Sequence, residues 1–132
     1  MKKIILPIAI AACALAAQFA LAAPPAEVKE IMSTPLTGIP GKEGLVLMVT
    51  YPPGGADEIH RHDAHAFVYV LEGSIVMQLR GAEPVTVNTG EGFYEGPNDV
   101  RSVGGSVSDS KPAKFVVFLV RNQGVPAVLP AK

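Results

Sequence analysis

The chain has 132 residues, with 11 Lys and Arg against 12 Asp and Glu, three His, one Cys and no Trp. A net charge of −1 without a basic stripe argues against a nucleic-acid protein, because nothing is present to neutralise phosphates. One cysteine rules out a disulfide framework, so a hydrophobic core must hold the fold, and 48% hydrophobic residues can supply one.

The chain opens on Met1-Lys2-Lys3, an apolar run from Ile4 to Leu21, and Ala20-Leu21-Ala22 followed by Ala23-Pro24-Pro25. That succession is expected of a signal peptide over residues 1–22, cleaved after Ala22, which would place the mature chain in the periplasm or outside the cell. Two alternatives stay open: a retained membrane anchor, and lipoprotein processing at Cys13 within Ile10-Ala11-Ala12-Cys13. The Pro-Pro pair after the small-residue site favours removal and therefore no stable membrane anchor. Losing Lys2 and Lys3 takes eleven basic residues to nine against twelve acidic, a net charge of −3. Residues 23–44 carry Pro24, Pro25, Pro35, Gly38, Pro40, Gly41 and Gly44. They read as a Pro-rich N-terminal arm and loop, with at most one turn of helix around Ala26 to Met32.

From residue 45 to 132 the pattern is strand and turn. Leu45–Tyr51 is a β-prone run that ends at Pro52-Pro53, and further runs span Ala66–Leu71, Ser74–Arg80, Val85–Val87, Gly92–Tyr94, Val100–Val103 and Phe115–Arg121. Short runs at regular spacing with turn residues between them predict an all-β sandwich or barrel. Glu72-Gly73 reads as a tight hairpin, and Tyr51, Phe67, Phe93, Phe115 and Phe118 read as core. The segment Phe115–Val120 has no polar alternation, so both its faces should be covered, which predicts a homodimer.

All three histidines fall in His60-Arg61-His62-Asp63-Ala64-His65. On an extended strand His60 and His62 share a face, which is the geometry of a metal site. His65 has the opposite parity and joins them as a third ligand only through a bulge near Asp63-Ala64; otherwise it lies at the mouth of the fold. Gln78 and Tyr94 are candidates to line the same cavity.

His60-Arg61-His62 followed by Phe67-Val68-Tyr69-Val70-Leu71-Glu72-Gly73 resembles the first conserved motif of the cupin superfamily, and Gly90–Val100 resembles the second. The resemblance implies a small jelly-roll type double-stranded β-barrel over residues 45–132 that binds one divalent metal ion (Fe, Mn, Zn or Ni) and acts on a small organic acid. It also implies dimerisation. Two positions depart from the pattern. Where cupins carry a carboxylate or amide ligand this chain has Ala66, and where they carry the last histidine it has Arg101. A guanidinium there would lower the histidine pKa values, repel a metal cation and require an anion, either a carboxylate ligand or Glu91 or Glu95. The expectations are therefore a metal-binding barrel of unassigned reaction, a non-catalytic periplasmic binder of a small anionic molecule gripped by Arg101, or a degenerate interaction module that needs no metal. N-terminal sequencing of the protein from fractionated cells should read from Ala23; an intact Met1 in the cytoplasm would refute export.

Overall fold

A computed structural model describes residues 21–131, so most of the expected signal peptide lies outside the described residues. Among the described residues ten strands follow one another without a helix: β1 (Glu27–Pro35), β2 (Lys42–Tyr51), β3 (His60–Arg61), β4 (Ala64–Glu72), β5 (Ser74–Leu79), β6 (Val85–Asn88), β7 (Gly92–Glu95), β8 (Val100–Ser106), β9 (Ala113–Asn122) and β10 (Leu129–Pro130). They form two five-stranded sheets, ordered β1-β2-β9-β4-β7 and β10-β3-β8-β5-β6, in which every neighbouring pair is antiparallel. Each strand belongs to one sheet only. The fold is thus a double sheet joined through its side chains, with an open seam where a closed barrel would have a ladder.

Alternation places the core. Leu45, Leu47, Val49 and Tyr51 of β2 point inward, as do Ala64, Ala66, Val68 and Val70 of β4 and Phe115, Val117 and Leu119 of β9. Ile75 and Met77 of β5 and Val87 of β6 meet them from the second sheet. Each large side chain buried in this layer contributes on the order of 1.5–3 kcal/mol. The β4–β5 hairpin turns at Gly73, whose φ of +71° disfavours other residues and whose added Cβ would lie 2.8 Å from the Pro112 carbonyl oxygen.

Two expectations are corrected here. Residues 27–35 are neither loop nor helical turn but a full strand paired along the β2 edge, with one register shift between Glu30 and Met32. Proline stands at both ends of the arm and leaves Ala26–Thr34 free of it, so the β2 edge has a continuous partner. Phe67 and Phe118 are not core. On β4 and β9 they occupy the outward parity, lie opposite one another and pack with Tyr94, at ring-centroid distances of 5.3 Å for Phe67–Tyr94 and 6.3 Å for Phe67–Phe118. Phe67, Tyr69, Tyr94 and Phe118 are all exposed, so the face of β9 that lacks alternation is apolar yet uncovered within one chain.

Candidate functional site

A cavity of about 350 Å³ opens at the seam, close to the lower limit of small-molecule sites at roughly 300 Å³. Leu47, Val49, Phe115 and Val117 from the first sheet form its apolar wall, and Val28, Ile59 and Val128 complete it. Its polar floor is Asp57, His60, His62 and Arg101.

His60 and His62, flanking Arg61, lie with ring centroids 5.0 Å apart, their planes nearly perpendicular at 80°. His60 Nδ1 donates to the Glu58 carbonyl at 2.7 Å, which leaves Nε2 as an acceptor. That acceptor is taken by Arg101, which donates to it from both Nε, at 3.2 Å, and Nη2. Arg101 Nη2 also lies 3.3 Å from Asp57 Oδ2, Nε lies 3.3 Å from Glu95 Oε1, and Nη1 lies 3.3 Å from Met77 Sδ. Tyr51 donates its hydroxyl to the same Asp57 Oδ2, and burial, outweighing the nearby guanidinium, pushes the phenol far up. Gly104 leaves room for this packing, since a Cβ there would sit 3.0 Å from Tyr51 Oη and 3.2 Å from Arg101 Cδ.

His62 faces an acceptor at each nitrogen, the Ala127 carbonyl at 2.5 Å and Glu95 Oε2 at 3.1 Å. The ring therefore bridges the C-terminal segment and the Glu95 carboxylate. Glu95 reaches the site from β7, where it stands directly opposite Ala66 of β4, the position at which the expected carboxylate is missing. Its Oε1 is in ionic range of Arg101 but is not aligned as a hydrogen bond, and it has no other partner.

The candidate residues therefore separate. His60, His62 and Arg101 converge. His65 keeps its outward parity, because no bulge turns it, and it hydrogen-bonds the Tyr94 hydroxyl at 2.7 Å on the exposed face. Tyr94 alternates with the inward Glu95, and so it leaves the cavity and lines the outer aromatic patch. Gln78 alternates with the buried Met77, and its amide donates to the Ala82 carbonyl. Of the two anions expected for Arg101, Glu95 is the partner; Glu91 instead accepts from the Asn88 amide. Asp57 and the walls from β1 and the C-terminal segment carry no signal in the strand pattern. The signal for Glu95 was present, since it shares parity with Phe93.

A divalent ion needs three or four donors aimed at one open point. Here the His60 lone pair already accepts from Arg101, the His62 Nε2 edge faces Glu95, and a guanidinium lies between the donors. Among the described residues no group of three or more His, Cys, Asp or Glu side chains converges in a way that could hold a metal. These residues, as placed, do not fit a metal ion.

Comparison with known proteins places the chain by sequence and by shape. The cupin domain profile matches residues 47–119. No curated protein matches. A cupin-like protein from Thermotoga maritima is similar in structure at 19% identity and a TM-score of 0.64, over 80% of this chain and 75% of that one. An oxalate oxidase in complex with glycolate superimposes at 22% identity and 0.63, over 79% and 54%. A DMSP lyase from Ruegeria pomeroyi superimposes at 17% and 0.57; the match covers 65% of this chain but only 42% of the lyase. At such identities the likeness concerns the fold.

The buried network makes stability depend on pH. Burial and the adjacent guanidinium hold the His60 imidazole below its ordinary 6.5. The unfolded chain then binds more protons than the folded one below about pH 6.5, so stability falls as pH drops from there. Burial pushes the Glu95 carboxyl up, but the His62 hydrogen bond and the Arg101 charge outweigh it and leave it below 4.5. Its contribution is present above that value and is lost as pH falls further. Denaturant midpoints measured from pH 8 to 3 should decline in two stages, and His60→Gln should remove the upper one.

Proposed function

The chain belongs to the cupin domain family, and from that premise we propose that it is a metal-independent cupin whose cavity binds a small organic ligand. One observation carries this reading: the Arg101 guanidinium takes the donors that a metal would need. The same bonds leave neither histidine free to act as a general base, because both nitrogens of His60 and of His62 are engaged. The apolar wall and the few convergent polar groups are those of a binding site. The basic, apolar and small-residue succession of residues 1–22 supports export, so the ligand would be met outside the cytoplasm.

Metal titration tests the reading. The wild-type chain should bind no stoichiometric Zn²⁺, Mn²⁺ or Fe²⁺ in calorimetry. Arg101→His removes the repelling cation and adds a donor beside His60, His62 and Glu95, so it should strengthen binding by roughly tenfold or more, about 1.4 kcal/mol. One tightly bound ion per wild-type chain, lost on replacing both histidines by Ala, would overturn the proposal.

Self-association through the outer face of the first sheet belongs to the same proposal. Phe67, Tyr69, Tyr94 and Phe118 form an exposed aromatic surface whose centre carries no charged side chain. Two copies related by a two-fold axis could therefore meet there without burying like charges. Light scattering at high micromolar concentration should give twice the chain mass, and Phe67→Glu should return it to one; a monomeric wild type would refute the dimer.

A further inference from the structure

The cavity's charge points to a ligand class, and this step rests on the binding reading above. We infer that the cavity takes a small organic cation, an ammonium group carried on an apolar body. Asp57 and Glu58 line the cavity and Glu95 stands behind its floor, so three acidic residues border it. Against them stand one guanidinium, Arg101, and at most one imidazolium, His62. His60 adds no charge, because its Nε2 must keep a lone pair to accept from Arg101. The region is therefore negative by at least one charge even with His62 fully protonated.

The positive charge of Arg101 is also not on offer. The guanidinium is only 7% exposed and lies 3.3 Å from both Asp57 and Glu95, with its remaining edge against His60 and Met77 Sδ. A carboxylate ligand would have to displace one of these anions, whereas Asp57 keeps 18% of its side chain exposed. A second observation has the same sign. Among the described residues, the one buried side-chain polar atom without a hydrogen bond is an acceptor, Glu95 Oε1. That oxygen lies 3.3 Å from Arg101 Nε without being aligned to it, so the carboxylate behind the floor is short of a donor. Walls of Leu47, Val49, Phe115 and Val117 supply an apolar surrounding in which such an imbalance is felt strongly.

Three probes that share one ring and differ in head charge separate the possibilities: benzylammonium, benzyl alcohol and benzoate, each titrated into the purified chain with ligand-observed NMR as readout. Benzylammonium should bind tightest, by tenfold or more over benzoate. Glu58→Gln alters an exposed side chain and should weaken benzylammonium several-fold while leaving benzyl alcohol unchanged. Asp57→Asn should do the same more strongly, with circular dichroism to show that the fold survives. Benzoate binding tightest would overturn the cation assignment and leave the cavity as a binding site. Failure of all three to bind would overturn the binding reading and this inference with it.

Discussion

A guanidinium removed from water is costly unless anions and acceptors surround it, and Arg101 is such a group. Its partners come from separated parts of the chain: Asp57 after β2, His60 on β3, Met77 on β5 and Glu95 on β7. Glu95 belongs to the first sheet and Arg101 to the second, so the ion pair fastens the two layers where no backbone ladder joins them. His62 adds a second tie across the same gap and, through the Ala127 carbonyl, holds the C-terminal segment down. Removing one member of such a set leaves an uncompensated buried charge at a cost of roughly 3–5 kcal/mol, more than its partners contribute individually. The network therefore constrains the site's composition as well as its shape.

The same constraint explains why the departures from the family pattern occur together. Ala66 gives up a carboxylate, and the opposite residue on the neighbouring strand, Glu95, restores one to nearly the same place. Arg101 then supplies the positive charge that this carboxylate and Asp57 require. Each change alone would leave the interior unbalanced; together they make a floor that is complete without an ion. A histidine at 101 without metal would leave Glu95 and Asp57 facing each other across a weaker counter-charge.

How much of this was legible in the sequence depended on whether strand parity alone decided the position. Parity placed His60 and His62 together and gave His65 the opposite face unless a bulge intervened, while turn residues bounded seven strands to within a few residues. Applied to β7 it would also have sent Glu95 inward beside Phe93 and Tyr94 outward, and applied to β5 it would have separated Gln78 from Met77. Phe67 and Phe118 misled because an apolar residue on a strand with no alternation does not say which face is buried. Asp57 follows no strand period. It sits in an irregular stretch after Pro52-Pro53-Gly54-Gly55, where no period applies, and its contacts with Tyr51 and Arg101 are made only once β2 and β8 are placed. The β1 strand was hidden by prolines that flank it rather than interrupt it.

The floor and the mouth of the cavity differ in how firmly they are held. Its floor side chains are nearly all buried and tied by charge, whereas its rim is drawn from the two ends of the chain. β1 pairs only with β2 and is exposed along its whole length, and β10 is a two-residue strand paired only with β3. Elements with so little buried surface open at small free-energy cost, while the core strands behind them do not. On the proposed reading a ligand would enter by displacing Val28 and Val128 at the rim, leaving the floor charges in place. The open seam of the double sheet, which a closed ladder would have sealed, is what lets a rigid polar floor serve a cavity of this size.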